Sequence, residues 1–146
     1  MKTDRIFGKK VENVEYYDRP GAYVIPIKDG KVAVVKLPKG LFLLGGKIEQ
    51  GETDIQCIKR ECMEEIGYSV YVEKKLCSAE SYALHSAVGY FHPVHFYYMG
   101  QLLKKTGVPI EKDHELCWFT YEEIKGKMFS DMQNWALDQA FCDYSK

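Results

Sequence analysis

Residues Gly45 to Tyr68 read GGKIEQGETDIQCIKRECMEEIGY, and the rest of the chain serves as a frame around them. Thr53 and Gln56 form a capping-box pair, each side chain meeting a backbone N–H left free in the first turn of a helix. Ile55, Ile58, Cys62 and Ile66 then recur at spacings of three and four, which makes one apolar stripe. Gly67 supplies a stop, because a residue without Cβ enters the left-handed conformation cheaply. The spacing predicts a helix of about four turns over Thr53 to Ile66, introduced by a glycine-rich loop.

On that helix Glu61, Glu64 and Glu65 stand at i, i+3 and i+4, so three carboxylates share a face. At about 6 Å and an effective dielectric near 20, each like-charged pair costs roughly 3 kcal/mol, against tenths when fully exposed. A solvated acidic face is the bland alternative. A partly sheltered triad instead calls for a cation, and clustered hard oxygens favour Mg2+ or Mn2+. Mg2+ also keeps waters and shares phosphate oxygens as further ligands.

Composition narrows the class. With 146 residues the chain suits one domain, 1–146, able to bury a real core. Hydrophobic content of 46% and charged content of 28% are those of an ordinary globular protein. A net charge of −1 exerts no global pull on a nucleic acid polymer or an anionic membrane. A polyphosphate must then be held by local residues and metal. Five cysteines (57, 62, 77, 117 and 142) form no C-x-x-C pair and read as reduced core thiols. The first ten residues lack an apolar signal core, and no run reaches membrane-spanning length. A cytoplasmic protein is expected.

Outward from the helix, Ala22 to Ile27 and Lys31 to Leu37 are β-branched runs joined by Lys28-Asp29-Gly30, a hairpin signal. Val11, Val14, Tyr16 and Tyr17 suggest a weak strand within 1–18, a candidate sheet edge or homodimer contact, which Arg19-Pro20-Gly21 ends. Pro38-Lys39-Gly40 turns the chain, and Leu41 to Leu44 forms a short strand. Val70 to Tyr82 and Val94 to Leu103 read as strands, with Leu84 to Pro93 a mobile loop between them. Thr106 to His114 reads as a loop and Leu116 to Phe119 as a strand. Two further capping boxes, Thr120 with Glu123 and Ser130 with Gln133, open helices. Met132, Trp135, Ala136, Ala140 and Phe141 of the last one are expected to face inward. Strands flanked by helices on both sides predict an α/β/α sandwich.

The central stretch also resembles the Nudix box of the Nudix (MutT-like) hydrolases, G-x5-E-x7-R-E-U-x-E-E-x-G-U with U aliphatic. All seven fixed letters are present, as Gly46, Glu52, Arg60, Glu61, Glu64, Glu65 and Gly67; Cys62 and Tyr68 replace the aliphatic residues. At roughly 7% usage per residue type, seven fixed letters recur by chance in about one of 10^8 windows. The resemblance implies a mixed sheet and a metal-dependent hydrolase that cleaves a nucleoside diphosphate linked to another group, X. It implies Glu61, Glu64, Glu65 and the Gly45 carbonyl as ligands of Mg2+ or Mn2+, with Arg60 orienting the glutamates and Glu52 supporting Arg60. The first substrate class is a nucleoside triphosphate, oxidised ones included, giving a monophosphate and pyrophosphate. Dinucleoside polyphosphates, nucleotide sugars or ADP-ribose form the second. A catalytically silent nucleotide sensor is the third reading, and the intact repulsive triad argues against it.

Outside the box, Glu115 is the candidate general base, ahead of Asp113 and Glu111. His85, His92 and Tyr82 are candidates for substrate contact, with Arg19, Lys47 and Lys39 for phosphate. Tyr90 and Tyr97 are further candidates for stacking a base. His95 has no partner at metal-site spacing. Trp118 and Trp135 are expected in the core, and Cys62 as packing rather than a nucleophile.

Overall fold

The computed structural model describes residues 2–146, so Met1 of the 1–18 segment lies outside it. Strand β2 (Tyr17–Lys28) divides the interior. Ala22 and Val24 point into one core, beneath α1 (Asp54–Ile66), with Ile58, Cys62 and Ile66. Tyr23, Ile25 and Ile27 point into the other, covered by α2 (Tyr121–Ile124) and α3 (Asp131–Tyr144). A strand buried on both faces carries a continuous apolar run rather than an alternating one, as Ala22 to Ile27 does.

Strands β1 (Arg5–Gly8), β6 (Tyr68–His85), β7 (Gly89–Lys105), β2, β3 (Lys31–Leu37) and β4 (Gly40–Phe42) lie side by side in that order. Strand β5 (Leu44–Lys47) pairs with β2, and β8 (Glu115–Thr120) with β3. The β1–β6 and β2–β7 pairings are parallel and the others antiparallel. The sheet is therefore mixed and sandwiched between helices, as expected. At the β2–β3 turn Asp29 (φ 53°) and Gly30 (φ 76°) are both left-handed, the hairpin geometry that Asp-Gly favours. Only Ile27–Val32 and Lys28–Lys31 pair before the strands part and β5 takes over the edge at Gly21–Val24. That parting opens the sheet beside Gly45 and Gly46.

Helix α1 carries its expected caps. Thr53 and Gln56 exchange both capping-box bonds, and Gly67 (φ 74°) donates its N–H to the carbonyls of Cys62 and Met63. The apolar stripe is rotated, however: Ile55 is 43% exposed and Cys57 is fully buried in its stead. Thr120 and Glu123 likewise form their box. Ser130 makes no side-chain cap, because the Gln133 carbonyl oxygen accepts instead from the buried Leu43 N–H at 2.8 Å.

Several expectations are corrected. β2 runs through Arg19-Pro20-Gly21; a proline withholds only its N–H, and the Pro20 carbonyl still accepts from Ile48 N–H at 2.9 Å. The edge strand is Arg5–Gly8, while Val11 and Val14 lie in a loop. The loop expected over Leu84 to Pro93 shrinks to Ser86–Val88, since Leu84 pairs with Tyr90 and Ala83 with Phe91. Leu41 to Leu44 divides between β4 and β5. Trp118, on the outer side of β8, is 39% exposed, whereas Trp135 packs partly buried, edge-on to Phe7. All five cysteines are free, and among the described residues no helix is long and apolar enough to cross a membrane.

Candidate active site

Two glycines let α1 press its acidic face onto β5. At Gly45 (φ 140°) a Cβ would meet the Ala22 carbonyl oxygen at 2.2 Å and Tyr23 Cα at 2.7 Å, so backbone blocks any side chain. At Gly46 a Cβ would lie 2.5 Å from Glu61 Oε2. Without those side chains, Glu61 and Glu65 reach a cavity of about 320 Å³ that Gly45, Gly46, Lys47, Arg19, Lys39 and His114 also line.

Arg60 gathers the acids. Its guanidinium donates to Glu52 (2.7 Å), Glu61 (2.6 Å) and Glu64 (3.2 Å), and to the Lys47 carbonyl at 2.9 Å. Those bonds hold the Glu52 carboxyl down at about 2 and lift the guanidinium above its ordinary value. Glu65 is buried on the sheet side, where its Oε1 accepts from Gly45 N–H at 3.0 Å. Burial pushes its carboxyl up to about 9 despite that bond, and the charges of Glu61, Glu111 and Glu64 add to the rise. Burial also raises Glu61, against the pull of Arg60. One arginine thus serves a cluster of four glutamates, and positive charge runs short.

Among the described residues no three carboxylate, imidazole or thiolate groups converge on one point. Arg60 draws Glu61 and Glu64 to itself, while Glu65 is held by Gly45. The donor set nevertheless fits a divalent cation: it is all oxygen, anionic, and raised in pKa by burial without enough counter-charge.

The structure brings Gly45, Gly46, Lys47, Glu61, Glu65 and Arg19 to one cavity, with Glu52, Arg60 and Glu64 beside them. Glu115 lies on β8 and lines a separate depression with Lys36, Asp113 and His114. His114 is the loop side chain that enters the cavity, its Nε2 3.6 Å from Glu65 Oε2. Its Nδ1 donates to the Lys112 carbonyl at 3.0 Å, which leaves Nε2 as the bare nitrogen. Glu111 reaches the helix through its backbone N–H, 3.0 Å from the Glu64 carbonyl.

Tyr82 and His92 are not brought to this site. They stack at 4.4 Å, and His92 sits between Asp18 (2.8 Å) and Glu80 (2.9 Å), lining a depression of their own with Lys10 and Tyr16. His85, at the exposed end of β6, meets Phe91 edge-on at 5.7 Å. The β6–β7 ladder carries all three away from α1. Tyr23, Gln133 and His114 were missed as site residues; a histidine in the loop packed on the helix end was the available signal.

The NUDIX domain matches residues 18–139, and the chain belongs to the NUDIX family as a Nudix hydrolase. Its fold is similar to a NUDIX hydrolase from Nitrosomonas europaea, with a TM-score of 0.74, 20% identity, and coverage of 87% of this chain and 90% of the other. It is also similar to a MutT NUDIX hydrolase from Burkholderia pseudomallei, with a TM-score of 0.69, 25% identity, and coverage of 84% and 98%. A UDP-X diphosphatase superposes with a TM-score of 0.64 at 18% identity, over 90% of this chain and 66% of that one. No curated protein sequence matches the chain. Nudix hydrolases act on small-molecule nucleotide substrates and generally use divalent metal ions.

Proposed function

We propose that this hydrolase cleaves a P–O–P bridge of a nucleoside diphosphate linked to X, nucleoside triphosphates being its first substrate class. The observation that carries this is the shortage of positive charge: four glutamates share one arginine beside a cavity with Arg19, Lys39 and Lys47 on its walls. Water adds to one phosphorus, the bridging oxygen leaves with the other phosphoryl group, and a triphosphate yields a nucleoside monophosphate and pyrophosphate.

Glu61, Glu64 and Glu65 would hold Mg2+ or Mn2+, with the Gly45 carbonyl beside them. When bound, that ion acidifies water and neutralises phosphoryl charge. Arg60 orients the glutamates, and Glu52, kept ionised by Arg60, fixes the guanidinium. Arg19, Lys39 and Lys47 carry the phosphate charge. His114 Nε2 is placed to take the proton of the attacking water; Glu115, on the neighbouring depression, is the second candidate.

The test is a panel of triphosphates, dinucleoside polyphosphates, nucleotide sugars and ADP-ribose with Mg2+. Phosphate is read with and without added pyrophosphatase. Triphosphate hydrolysis should release phosphate only when pyrophosphatase is present. Glu64→Gln should lower turnover at least about 100-fold with the fold intact. A Glu64→Gln enzyme as fast as its parent would refute the site.

A further inference from the structure

A larger cleft, about 650 Å³, adjoins the carboxylate cavity and shares Arg19, Tyr23, Lys39, Phe42 and Gln133 with it. Its walls are aromatic. Phe42 and Phe129 stack at 5.2 Å with Lys39 over both rings, and Phe7 and Phe91 line the sheet side. Within the lining stands His95, 7% exposed, its ring 4.7 Å from that of Tyr23. His95 Nδ1 lies 3.0 Å from the Tyr97 hydroxyl, and its Nε2 is buried with no hydrogen-bond partner among the described residues.

The proton on this ring can be assigned from its neighbour. Tyr97 is fully buried, and His95 is the partner of its hydroxyl. Were Nδ1 the donor, the phenol proton would go unmet inside the protein, a cost that burial makes severe. Tyr97 therefore donates to Nδ1, and the ring hydrogen sits on Nε2. Burial also holds the His95 pKa down at about 3, so the ring stays a neutral donor at ordinary pH.

We infer that this cleft receives the base of the nucleotide and that His95 Nε2–H selects it, by donating to a ring nitrogen or carbonyl oxygen on the base edge. The inference rests on the proposed function, which puts the phosphates in the adjoining cavity and leaves the cleft beyond the shared wall for the rest of the substrate. Aromatic walls stack any planar ring and discriminate little. A buried donor does discriminate, because an occupant without an acceptor leaves it unpaired. His95 is thus a specificity residue rather than a catalytic one.

The first test is a long-range 1H–15N spectrum of the wild-type histidines, which should show His95 protonated on Nε2 and shifting on addition of nucleoside monophosphates but not of ribose 5-phosphate. In parallel, His95→Phe should raise KM about three- to tenfold for nucleotides, the worth of one neutral hydrogen bond, with kcat kept. A proton on Nδ1 overturns the donor assignment, whatever becomes of the variant. Equal response to the monophosphates and ribose 5-phosphate, in an enzyme that hydrolyses nucleotides, overturns the base pocket alone. Absence of hydrolysis across the whole panel overturns the earlier reading instead, and this inference falls with it.

Discussion

Replacing Glu65 with glutamine should make the protein more stable, and more so as pH rises. The Glu65 side chain is 8% exposed, and burial moves its carboxyl from 4.5 to about 9. In the unfolded chain the same group ionises near its ordinary value. Between these limits the folded state binds more protons than the unfolded state, so stability is full below about 4.5 and is lost as pH rises toward about 9. The slope approaches 1.36 kcal/mol per pH unit, which amounts to about 3 kcal/mol at most between pH 5 and pH 7.5. Glutamine cannot ionise, yet it keeps an oxygen for Gly45 N–H and offers an N–H toward the bare His114 Nε2. Urea melts in EDTA should therefore place Glu65→Gln level with the parent at pH 5 and about 2–3 kcal/mol above it at pH 7.5. Added Mg2+ should close that gap by stabilising the parent, since a ligand of the native state shifts unfolding by mass action. Stability curves that run parallel from pH 5 to pH 7.5 would refute the buried-carboxyl argument. An equal Mg2+ response in both proteins would remove Glu65 from the cation site.

Gly46→Ala should fold, because its Cβ meets only the flexible end of Glu61 at 2.5 Å. The displaced carboxylate should lower turnover at least about tenfold, read with saturating nucleotide, while the melting temperature stays within a few degrees. Gln133→Leu removes the acceptor of the buried Leu43 N–H and should cost about 1–3 kcal/mol by chemical denaturation.

Some of this protein could be read before any fold was known, and the reason is range. Helix α1, its Thr53 cap, its Gly67 stop and the shared face of Glu61, Glu64 and Glu65 depend on spacings of three and four residues, which helical geometry enforces locally. The Asp29-Gly30 turn depends on two adjacent left-handed residues. Where the chain meets itself over long separations, the pattern was silent or misled. The exchange of Ile55 for Cys57 was set by the angle at which α1 settles on the sheet. Ser130 lost its capping box because Gln133 found a buried donor 90 residues away. His114 rather than Glu115 enters the cavity because the loop docks its backbone on the Glu64 carbonyl. His95 acquires its meaning from Tyr97 beneath it and the cleft above, which exist only once the helices cover the sheet.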